Sequence, residues 1–152
     1  MRGLTVAVTT LAVMAFTGPV QAQVSGRIEL LFEAITQETA RRERDQPAGQ
    51  GHVYSHGEVG ALSAGEERSS ALIGDRGGAV TVVGFCDEAC RDLDVSVVNQ
   101  HGMVVAAEYA VDPRPVVTFA ALPGYSYTLK VRMSGCAQNP CYYGASSYLA
   151  AR

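Results

Sequence analysis

Tryptophan is absent from the 152 residues, and aromatic residues make up only 7% of them. The seven tyrosines outnumber the four phenylalanines, a bias that suits half-wet strand positions. No block of basic residues occurs, and the formal net charge is -3, so nothing points to a nucleic-acid surface. The signatures of nucleophilic and metal-assisted hydrolysis are missing as well. There is no G-x-S-x-G, no H-E-x-x-H and no Ser-His-Asp spacing. Nor is there a C-x-x-C within a βαβ pattern, as thiol oxidoreductases require. Gly74-Asp75-Arg76-Gly77-Gly78 precedes a strand pattern rather than a helix, so it does not read as a phosphate cradle.

What is present begins with a targeting pattern. Arg2 is followed by the apolar run Leu4 to Phe16, then by Gly18-Pro19 and the small-residue motif Val20-Gln21-Ala22. This is the layout of a signal peptide over 1–22, and the apolar run is too short for a stable bilayer anchor. The expected mature chain starts at Gln23 and is periplasmic or secreted, with no stable membrane span after cleavage. All four cysteines, Cys86, Cys90, Cys136 and Cys141, fall in that part. In an exported chain an even count reads as disulfides. The local pairs Cys86–Cys90 and Cys136–Cys141 are favoured because each sits within one expected loop. A four-thiolate zinc site is the alternative, against which the oxidising compartment argues.

Residues 23–51 are expected to be a helix and a linker. Ile28, Leu31, Phe32 and Ile35 recur at the helical period over 25–45. Ser25 reads as the N-cap, and Glu38 with Arg42 forms an i, i+4 pair. Pro47 to Gly51 is the linker. Residues 52–152 then change to a period of two. Expected strands cover 69–73, 79–86, 93–99, 103–109, 116–120, 125–133 and 142–149, with a short one at 52–55 and a turn-rich stretch at 57–65. Alternation is clearest where Tyr125, Tyr127, Leu129, Val131 and Met133 oppose Ser126, Thr128, Lys130 and Arg132. The β-branched run Val80-Thr81-Val82-Val83 reads as a central strand. Seven or eight short strands separated by turn residues predict a mainly β protein, an antiparallel, jelly-roll-like β-sandwich preceded by one amphipathic helix.

Four segments resemble the bacterial pre-peptidase C-terminal domain family. They are Gly60-Ala61-Leu62-Ser63-Ala64-Gly65-Glu66, Asp92-Leu93-Asp94-Val95, Asn99-Gln100-His101-Gly102, and the run from Leu122 to Val131 with its Pro123-Gly124-Tyr125 turn. The resemblance implies a small β-sandwich acting as a noncatalytic accessory module of secreted hydrolases. These 152 residues contain no peptidase domain, which points to a stand-alone exported form.

Antiparallel connections alternate between the two ends of a sandwich. The loops 86–92, 110–115 and 134–141 are therefore expected at one end, with the turns 99–102 and 121–124 at the other. The first end gathers Asp87, Asp92, Asp94 and Asp112, a set of carboxylates that would suit calcium. Asp side chains bonding local backbone N–H groups, with Arg91 and Arg114 as counter-charges, are the alternative. His52 and His56 read as exposed linker histidines. No cofactor is required by this reading beyond an optional Ca2+. The expected function is a noncatalytic exported module contacting a protein or glycan of the cell envelope. A structural or chaperone-like protein docking through its helix is one alternative, and a secreted hydrolase or redox protein is another.

Overall fold

The structure is a computed structural model, and it describes residues 19–45, 52–72 and 77–150. One helix, α1 (Pro19–Arg44), precedes eight strands: β1 (His52–Leu62), β2 (Glu67–Leu72), β3 (Gly78–Cys86), β4 (Cys90–Asn99), β5 (Val104–Glu108), β6 (Val116–Ala121), β7 (Tyr127–Cys136) and β8 (Cys141–Ala150). The expected signal segment up to Gly18 and the linker from Pro47 to Gly51 lie outside the described residues.

The strand pairing is nested. β1 pairs with β8, β2 with β7, β3 with β6 and β4 with β5, all antiparallel. The chain thus forms a long two-stranded ribbon folded at the β4–β5 turn and rolled up. Pairings of β3 with β8 and of β4 with β7 close the roll into two four-stranded sheets, ordered β1-β8-β3-β6 and β2-β7-β4-β5. This is the double-sheet jelly roll expected from the strand spacing. The two sheets bury Val80, Val82, Leu93, Val95, Leu129 and Val131 between them.

The helix makes a third layer. Leu31 and Ile35 pack on Val83, Phe85 and Tyr148 of the first sheet's outer face. Burying each of these two side chains contributes roughly 2 kcal/mol. Gly144 makes the approach close, because a Cβ there would lie 3.3 Å from the Ile35 Cδ1 and 3.6 Å from the Leu31 Cβ. β3 and β8 are therefore buried on both faces, which is why the run at 80–83 is β-branched throughout and shows no alternation.

Several expectations need correction. The helix is already formed at Pro19, and Ser25 lies inside it rather than capping it. Phe32 is 56% exposed. It sits about a quarter-turn from the centre of the buried stripe. The turn-rich stretch after Ser55 is instead the continuation of β1, whose register shifts between Tyr54 and His56.

Candidate functional site at the disulfide end

The three loops expected at one end do meet there. The Leu93 N–H donates to the Asp112 carbonyl (3.1 Å), the Gly84 N–H to that of Pro115 (2.8 Å), and the Ala137 N–H to that of Ala89 (2.8 Å). At the other end the Ser126 N–H donates to the Gln100 side chain at 3.2 Å. Both favoured disulfides are present, Cys86–Cys90 and Cys136–Cys141, and no described cysteine is free. Each bond joins the first sheet to the second, since Cys86 and Cys141 end or begin strands of one and Cys90 and Cys136 strands of the other. Local in sequence, the staples clamp the two layers together at this end.

The four aspartates bond to different groups. Asp87 Oδ2 lies 3.2 Å from the Arg27 guanidinium, and its Oδ1 accepts from the Cys90 N–H. Asp92 accepts from the Asp112 N–H at 3.4 Å. Asp112 in turn accepts from the Arg114 N–H at 2.8 Å, a local turn bond. Asp94 lies in β4 across from Arg132 and accepts from the Ser134 hydroxyl, which sets it on the second sheet rather than in the loops. Among the described residues no group of three or more His, Cys, Asp and Glu is placed to hold a metal ion.

Arg114 serves a carboxylate that spacing alone did not connect to the loops. Glu38 is 2% exposed and lies on the helix stripe after Leu31 and Ile35. It receives Arg41 at 2.6 and 3.0 Å, Arg42 at 2.7 Å and Arg114 at 2.7 Å. Burial alone would raise its pKa. The hydrogen bond from Arg41 and the charges of Arg42, Arg41 and Arg114 outweigh that and hold it below the usual carboxylate range. The sequence signal was a carboxylate on an apolar stripe flanked by arginines three and four residues on.

Arginines also stack on the aromatic rings at the helix seat. Arg27 lies over Tyr142 (5.8 Å), Arg42 over Tyr148 (4.8 Å) and Arg114 over Phe85 (5.2 Å). The helix is thereby tied near its start by Arg27–Asp87 and near its end by Glu38–Arg114.

Between these two ties the helix and the loops leave a cleft of about 390 Å³. Leu30, Leu31, Ala34, Phe85 and Pro113 make its apolar lining, with Arg27, Asp87, Glu88 and Arg114 as charged lining groups. A volume of that size with an apolar interior and few charged groups is that of a small ligand or side-chain pocket.

The histidines are elsewhere. His56 lies in β1, half-buried, with Nε2 3.5 Å from Glu58, so it is not an exposed linker residue. Glu58 also accepts from the buried Tyr143 hydroxyl at 3.1 Å. Burial, then the Glu58 charge and hydrogen bond, push the Tyr143 pKa well up, so this hydroxyl stays a donor.

No family model matches the chain, and no curated protein matches it. Among the described residues no helix is long and apolar enough to cross a membrane. The two disulfides are compatible with an oxidising, extracellular location.

Proposed function

We propose that this chain is a noncatalytic binding module working in the periplasm or outside the cell, in the manner of a stand-alone pre-peptidase C-terminal-like domain. Its contact surface is the cleft between α1 and the disulfide end, and its partner is a protein or glycan of the cell envelope. The cleft itself carries this reading: an apolar lining of Leu31, Ala34 and Phe85 opens between two ion-paired arginines. The disulfides support the compartment.

Leu30 is the variant of choice because it lines the cleft and is 65% exposed, so Leu30→Asp should leave the fold intact. Capture from the native cell envelope with wild-type and Leu30→Asp protein should lose the specific species with the variant. An unchanged capture profile would remove the cleft as the contact. Docking through the helix is the second reading, favoured by Phe32, which the fold leaves exposed. Loss of the captured species with Phe32→Ser, but not with Leu30→Asp, would move the contact to that face.

A further inference from the structure

The apolar cleft is the middle of three that adjoin along one flank of α1. Toward the start of the helix it shares Arg27, Leu30 and Glu88 with a second cleft, which adds Glu29 and Glu33. Toward the end it shares Ala34, Phe85 and Arg114 with a third, which adds Arg41 and Arg44. The flank is therefore a continuous groove whose two ends differ in charge.

At the first end Arg27 is paired with Asp87, which leaves Glu29, Glu33 and Glu88 without a facing cation among the described ion pairs. At the last end four guanidiniums, Arg41, Arg42, Arg44 and Arg114, stand against two carboxylates, Glu38 and the exposed Asp45, which takes Arg41 at 3.3 Å. Arg44 has no ion-pair partner among the described residues, and Arg114 and Arg41 are 55% and 53% exposed. The groove runs from acidic through apolar to basic. From Gly26 to Arg44 it follows a stretch of helix about 27 Å long. That is the length of an extended segment of about eight residues.

Resting on the reading of the cleft as the contact surface, we infer that the groove binds an extended peptide segment of opposite polarity: cationic at one tip, apolar in the middle, anionic at the other. The apolar centre fills the space beside Leu31, Ala34 and Phe85. The anionic tip meets Arg44 and the free edge of Arg114, and the cationic tip meets Glu29, Glu33 and Glu88. A glycan supplies no such alternation of apolar side chain and opposite charges, so the partner is a protein.

The test uses three labelled, capped octapeptides and fluorescence anisotropy with the full chain at low salt. All share the centre Thr-Leu-Val-Thr. One is tipped by Lys-Lys and Glu-Glu, one by Lys-Lys at both ends and one by Glu-Glu at both ends. The polarised peptide should bind about tenfold more tightly than either of the others, from about threefold per exposed charge pair. The preference should shrink as salt is raised. Arg44→Glu should remove the preference over the doubly cationic peptide and keep that over the doubly anionic one. Glu29→Lys should do the reverse.

Equal binding of all three peptides, or the same response to both variants, overturns the polarity. If such equal binding is lost in Leu30→Asp, the cleft stands as the contact and only the polarity falls. Binding that ignores Leu30→Asp sinks both. If none of the peptides binds, the inference of a peptide partner falls, and the envelope capture decides the cleft by itself.

Discussion

The two sheets each have four strands, but α1 covers the outer face of only one of them. On the second sheet β7 alternates between buried and solvent-facing positions: Leu129, Val131 and Met133 point inward, and Lys130 and Arg132 point out. On the first sheet the outward residues of β3 and β8, Val83, Phe85 and Tyr148, are buried as fully as the inward ones. The outer face of one sheet is a surface and that of the other is an interface. The ion-paired chemistry follows the same division, with Arg27, Arg41, Arg42, Arg114 and Glu38 collected along the margin of the helix.

The largest test of this contrast is a pair of truncations. Tyr148→Ala, on the covered face, is expected to destabilise by about 4 kcal/mol in urea unfolding. Arg132→Ala, on the open face, should change stability by less than about 0.5 kcal/mol. Similar values for the two would mean that the helix does not seal the first sheet.

Next in size is Glu38→Gln, expected to cost about 2–3 kcal/mol at pH 7 by leaving three guanidiniums without their carboxylate. The pH dependence has a definite sign. The folded pKa of Glu38 is lowered, so its contribution is complete above the unfolded value of about 4.3 and is lost as pH falls through the lowered folded value. Wild-type and variant stabilities should therefore converge with acidification below that point, as followed by unfolding at stepped pH. A gap that stays constant would show that Glu38 is not ionised in its seat.

Removing one sheet-to-sheet staple, as Cys86→Ser with Cys90→Ser, should cost at most about 2 kcal/mol, since the closed loop is short. Amide exchange should rise at the disulfide end and leave the 99–102 and 121–124 turns unchanged. Exchange that rises equally at both ends would show that the bond stabilises the sandwich as a whole.

Calcium has the smallest expected effect. With Asp87, Asp92, Asp94 and Asp112 each turned to its own partner, millimolar calcium should move the melting temperature by no more than about 1 °C. A larger rise, abolished by Asp92→Ala, would show that the carboxylates gather around the ion.

Much of the sandwich was legible because a one-sided sheet writes its period into the chain. Connection parity likewise brought the right loops together, and the small cysteine spacings favoured the right pairs. β1 was less legible because its glycines imitate turns. In the fold, Gly57 and Gly60 make room for rings, since a Cβ would lie 1.9 Å from the Tyr54 hydroxyl and 2.8 Å from the Tyr143 ring. The orientation of the aspartates was not legible either. Parity assigns a loop to an end but does not say which way a side chain turns: Asp92 turns to the Asp112 N–H and Asp94 to the Ser134 hydroxyl. The groove was not legible at all, because its wall is built from a helix and a loop about eighty residues apart, with Glu38 and Arg114 as its hinge pin.

The nested ribbon also orders events in time. Val98 pairs with Val104, six residues on, whereas His52 pairs with Ala150, ninety-eight residues on. Closing the longer loop costs about 2.5 kcal/mol more chain entropy. Assembly is expected to zip outward from the β4–β5 turn, with β1 and β8 joining late. The seat of α1 spans β1, β3 and β8, so the helix can dock only after them. Until it does, Val83, Phe85 and Tyr148 face water, so the chain is expected to be most adhesive just before the helix docks. Added in trans during refolding, a peptide of residues 24–45 should suppress aggregation, measured by light scattering; no suppression would place the adhesive surface elsewhere.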